Sequence, residues 1–246
     1  MPKNINSASR LVSLLRSIPA HPDNTQSLEV WARLFEIAEE NPNRKSIAVT
    51  DRLSVMYREL EIVRDEMKKA NFSEDLYLAT FTSLEHAFSA MLLPASWNSV
   101  RQYLTPDTFT TLAFCGEILP NEESQIDPTE IADIKILLED LENSLFESNL
   151  PVRLYELVIH HIRLIKQALA EYPISGAKAL REVKRTAQGE IIEIKKTVDL
   201  NTDLPEIKKL DNLWRKFNDA TNVAYNIDRA IQLAHKASET IGGFLG

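Results

Sequence analysis

The chain has 246 residues, 44% of them apolar, which is enough to bury a core without disulfide or metal staples. Its 28 basic residues face 36 acidic ones, and a formal charge of −8 repels a phosphate backbone, so coating of nucleic acid is not among the expected functions. The single cysteine, Cys115, allows neither an internal disulfide nor a thiolate metal cage and fits a reducing, cytoplasmic compartment.

The N-terminal segment is interrupted by Arg10 and Arg16 and lacks the apolar run of a signal peptide, and no window approaches the roughly 18 apolar residues of a membrane span. Glycine is confined to Gly116, Gly176 and Gly189 in the interior and to Gly242, Gly243 and Gly246 at the end, which excludes glycine-rich phosphate loops. Between the remaining turn signals the apolar residues recur at three and four. The expected fold is an all-α multi-helix bundle of about nine to ten antiparallel amphipathic helices, closed by a long C-terminal helix.

In chain order, the first helix is expected over about Ser9 to Ile18, ending at Pro19, with Leu11, Leu14, Leu15 and Ile18 on one stripe. Ser27 opens a second, with Leu28, Trp31, Leu34, Phe35 and Ala38 on one face, ahead of the turn-forming residues 41–43. A long helix follows from Ser46 to Ala70, then another from Ser73 to Pro94, and a short one around Trp97 to Leu104. Thr105-Pro106 and Asp127-Pro128 are cap-plus-proline pairs, each opening a helix. The polar stretch 120–127 is the expected boundary between an N-terminal helical subdomain, 1–120, and a C-terminal helical bundle, 121–246, neither of which is basic. In the second half, helices are expected from Asp127 through Leu145, from Pro151 to Tyr172-Pro173, from Ser175 to Val198 and from Leu204 to Ile241. The last has an inner stripe of Leu210, Trp214, Phe217, Ala224, Ile227, Ile231, Ala234 and Ser238, and the terminal residues 241–246 read as a frayed end or an inserting tail.

Few side chains carry chemistry. Arg153 and His160, a guanidinium and an imidazole separated by six residues, lie on one helix. Glu156 and His160, one turn apart with His161 beside them, lack the further ligands that a metal site needs, and no cofactor or metal is expected. His161 falls on the apolar stripe, where a hydrogen-bonded core imidazole is the ordinary explanation. His86 and Cys115 form a base-and-nucleophile pair only on paper, and Cys115 reads more simply as a small buried hydrophobe. Lys178, Arg181, Lys184 and Arg185 make a basic stripe interrupted by Glu182 and, further on, Glu190 and Glu193. It would dock an acidic partner, a phosphate-bearing ligand or RNA, or stand as a solvated helix face.

The spacing of Arg153 and His160 resembles the arginine and histidine pair of the HEPN ribonucleases, all-helical proteins whose dimers set two such pairs in one cleft. That resemblance implies catalytic roles for Arg153 and His160, although Leu154 stands where those motifs carry a polar residue. The block 149–192 resembles a segment of uncharacterised all-helical bacterial proteins through Leu150-Pro151, Ala168-Leu169, Tyr172, Ile174, Gly176 and Gly189-Glu190. This second likeness implies a bacterial cytosolic helical protein, with a defence-associated role as its further expectation, and supplies no catalytic residues. The expected function is therefore a non-enzymatic helical protein that contacts a protein partner or its own copy, as in a homodimer, without membrane or nucleic acid. A HEPN-like ribonuclease is the alternative.

Overall fold

A computed structural model describes residues 4–199 and 203–221, with the backbone alone at 188, 189 and 191–199. Among these residues the regular structure is helical, and a lone bridge between Gln26 and Ser96 is the extent of β pairing. The all-α class is what the structure shows. The α-helices are α1 (Ser7–Arg16), α2 (Ser27–Leu34), α3 (Pro42–Lys69), α4 (Leu78–Ala87), α5 (Asn98–Arg101), α6 (Pro106–Ile118), α7 (Pro128–Ser144), α8 (Val152–Ser175), α9 (Ala177–Asp199) and α10, which begins at 205 and reaches 221. Short 3-10 turns stand at Glu74–Leu76, Ala90–Leu92 and Leu145–Glu147. No helix of the described residues is long and apolar enough to cross a membrane. The expected continuation of the last helix beyond 221, and the tail 241–246, lie outside the described residues.

The chain forms two compact units, one of 1–122 with 173–175, the other of 123–172 with 176 onward. In the first, α1 packs on α3 and α6. Its core holds Leu11, Leu15, Met56, Leu60, Phe81 and Leu84, with Trp31 set 5.8 Å from Phe35 and 5.6 Å from Trp97, centroid to centroid. Helix α1 has only 10 residues, too short to persist alone, so its end is tied down by side chains. Asn6 Oδ1 accepts from the Ser9 amide at 3.0 Å while Ser9 Oγ accepts from the Asn6 amide at 2.9 Å, a reciprocal cap. Asn6 Nδ2 donates to the Gly116 carbonyl at 3.0 Å. A side chain at Gly116 would press on Ser9 at 3.3 Å, so glycine lets α6 approach α1 closely.

Beneath this cap lies a buried charge cluster. Arg10 Nη2 reaches Glu59 Oε2 at 3.2 Å and Glu122 Oε2 at 2.7 Å, and Ser7 Oγ donates to Glu59 Oε2 at 2.7 Å. Arg10 and Glu59 are 10% and 2% exposed, so each depends on the other for its charge.

Several boundaries differ from expectation for local reasons. Helix α3 starts at Pro42 rather than Ser46 because Asn41 Oδ1 accepts from the amides of Asn43 and Arg44, so 41–43 open a helix instead of a turn. Helix α2 ends at Leu34, since Glu36 adopts a φ of 55° and the Ile37 amide returns to the Ala32 carbonyl. The expected helix from Ser73 to Pro94 is broken into a 3-10 turn, α4 and a second turn capped by Ser89. Helix α8 runs past Pro173 to Ser175, where Gly176 ends it at φ 62° and ψ −153°, a region open to glycine alone.

In the second unit the core comprises Ile134, Leu138 and Leu141 of α7, Leu154, Val158, Ile162 and Ile165 of α8, Leu180 of α9, and Leu213 and Phe217 of α10. Glu123, 4% exposed, fills the space beside Gly176 and accepts from the Ala177 amide at 2.6 Å.

Two outcomes are expected in urea unfolding. Arg10→Met strands the Glu59 carboxylate and lowers stability by roughly 3–5 kcal/mol, while Arg10→Met with Glu59→Met recovers most of that loss. Gly176→Ala, which forces a side chain into left-handed backbone against Glu123, costs about 1–3 kcal/mol.

Candidate functional site

The polar side chains that converge in the second unit come from α8, α9 and α10. His161 is wholly buried on the apolar side of α8. Trp214 Nε1 of α10 donates to its Nδ1 at 3.0 Å, with the rings edge to face at 5.5 Å. Because Nδ1 accepts, the neutral imidazole carries its proton on Nε2. That nitrogen stands 3.3 Å from Glu190 Oε2 of α9, but out of line for a hydrogen bond, so this contact is electrostatic. The other oxygen, Glu190 Oε1, accepts from His160 Nε2 at 2.9 Å, and the His160 side chain is 47% exposed. One carboxylate thus serves two adjacent imidazoles, one in water and one in the core.

Burial pushes the His161 pKa below its ordinary 6.5; Glu190 opposes that shift and His160 adds to it. A histidine held neutral against a tryptophan N–H cannot take a second proton without setting two donors face to face. The site at His161 is therefore built for the neutral ring.

Arg153 is exposed on α8, seven residues before His160. Two turns bring both onto one helix face, about 10.5 Å apart along the axis. His160 with Glu190 is an imidazole oriented by a carboxylate, the arrangement of a general base. Among the described residues no Ser, Thr or Cys side chain hydrogen-bonds to either imidazole, and no group of three His, Cys, Asp or Glu could hold a metal ion.

The basic stripe on α9 divides: Lys178 and Arg185 are exposed, whereas Arg181 and Lys184 are half-buried, and Arg181 Nη1 is buried with no hydrogen-bond partner among the described residues. The pairing of His86 with Cys115 does not describe an activated thiol. Cys115 is wholly buried and its pKa is pushed up to about 12, far from the depressed value a nucleophilic cysteine needs. His86 stacks on Tyr103 at 5.2 Å.

The sequence predicts a hydrogen-bonded core imidazole at His161, as observed, but not its partners. Glu190 read as an interruption of the basic stripe and Trp214 as ordinary core. The available signal was a pair of adjacent histidines, one on the apolar stripe and one off it, which demands a polar group on whatever packs there.

Protonation of His161 is linked to folding with a definite sign. Its folded pKa lies below 6.5, so the unfolded chain binds more protons on this residue; the contribution is complete above pH 6.5 and is lost as pH falls toward the folded value. Urea midpoints measured on either side of pH 6.5 should therefore drop on the acid side, and His161→Phe should flatten that part of the profile even though it lowers stability throughout. No protein-family model, no curated protein and no solved structure matches the chain.

Proposed function

We propose that this is a non-enzymatic, cytosolic helical interaction protein that works through helix-face contacts with a protein partner or a second copy of itself. The supporting observation is the set of large apolar side chains left in water around one short link of the second unit. Phe146 is 84% exposed, Val152 72% and Tyr155 42%, all within ten residues of chain. Single exposed apolar residues are ordinary, but three close in sequence at the connection between α7 and α8 leave apolar area that water solvates poorly. The exposed Lys178 and Arg185 supply charge for an acidic counterpart. A bacterial, defence-associated setting belongs to the same proposal and rests only on the likeness of the block 149–192.

The test is the mass in solution of the native chain and of a Phe146→Asp, Val152→Asp variant, by sedimentation, together with capture of partners by each. Self-association or a retained partner is expected for the native chain and its loss for the variant. A native chain that stays monomeric and retains nothing overturns the proposal.

A second reading, a HEPN-like ribonuclease, is favoured by the Glu190-oriented His160 with Arg153 on the same face of α8. Here His160 would withdraw the 2′-hydroxyl proton and Arg153 would neutralise the phosphorane charge. Incubation with RNA decides it. Cleavage that falls by about a hundredfold or more in His160→Ala and Arg153→Ala is the expected result on this reading. Intact RNA, or equal cleavage by the variants, ends it.

A further inference from the structure

The first unit contains a cavity of about 400 Å³ between the end of α1, the loop that follows it, α5 and the start of α6. We propose that it is a binding site for a small organic acid, a carboxylate carried on an aromatic or aliphatic body. Its walls divide by chemistry. Ile18, Trp97, Leu104 and Phe109 give it an apolar interior, while Arg16, His21 and Arg101 bring the polar groups, three nitrogen bases in a protein whose net charge is −8.

Each polar group has capacity to spare. Arg16 is exposed and makes no ion pair among the described residues. Arg101 holds Asp23 with both Nη atoms, Nη1 to Oδ1 at 2.7 Å and Nη2 to Oδ2 at 3.1 Å, and, with both side chains more than half exposed, it keeps further N–H donors for a second acceptor. His21 Nε2 is buried with no hydrogen-bond partner among the described residues, a deficit that an incoming polar atom would relieve.

The charge count selects the ligand. Two guanidiniums against the single carboxylate of Asp23 leave one net positive charge at the cavity, which matches a monoanion rather than a doubly charged phosphate ester. A guanidinium fork receives a carboxylate bidentately. The volume falls in the range of small-molecule sites, and burial of an apolar body against Trp97 and Phe109 provides the driving force. The site uses none of the residues invoked for protein contacts or for RNA, so it stands or falls separately from those readings.

Calorimetric titration with 2-naphthoate, and with its neutral isostere 2-naphthamide, tests the proposal on the full chain. Naphthoate is expected to bind saturably at one site per chain, with the amide about tenfold weaker or worse. Arg16→Glu, a change at an exposed position that leaves the core alone, should weaken naphthoate about tenfold or more, and Asp23→Asn, which releases Arg101, should tighten it. Absence of saturable naphthoate binding, an amide that binds equally, or indifference to Arg16→Glu would each overturn the assignment.

Discussion

The hydrogen bond from Trp214 to His161 is the constraint around which the second unit is arranged. A ring with two nitrogens buried among leucines and isoleucines is tolerable only if its polar atoms are met. Trp214 meets one of them, fixes the tautomer, and thereby decides which nitrogen faces Glu190. Helices α8 and α10 are held in one register by this bond, because sliding either by a turn would strand a donor and an acceptor in the core, and Glu190 of α9 sets its charge beside both imidazoles. Apolar packing alone would accept several registers at similar energy, and the polar contacts select one of them.

The first unit answers the same problem with charge. Arg10, Glu59 and Glu122 join α1, α3 and the segment after α6, and the reciprocal cap at Asn6 and Ser9 completes the anchorage of a helix too short to stand by itself. The two units thus rely on different currencies of specificity. In one the interaction is ionic; in the other it depends on a ring staying uncharged.

Much of this was legible in the sequence, and the parts that were not share a cause. Thr105-Pro106 and Asp127-Pro128 opened helices as their caps predict, with Thr108 and Thr129 amides bonded to the cap side chains. Asn41-Pro42 is the same chemical pair, yet Asn43 after it makes a turn look equally good, and only the bonds from Asn43 and Arg44 distinguish the two. Glu36 ends α2 in a left-handed conformation that no side-chain pattern announces. At the candidate site, Arg153, His160 and His161 could be found by their spacing on one helix. Glu190, the partner of the two histidines, could not, since its approach depends on how α9 packs against α8, thirty residues further on. Local periodicity states which face a residue occupies, and is silent about which atom of another helix comes to meet it.

Cys115 gives the chain a built-in reporter. It is the sole thiol, it lies wholly within the first unit, and its proton is held so tightly that the reactive thiolate scarcely forms while the surrounding helices are closed. A thiol reagent can therefore mark this protein only in the instants when α6 comes away from its neighbours. The pace of that marking is a clock for the opening of the first unit.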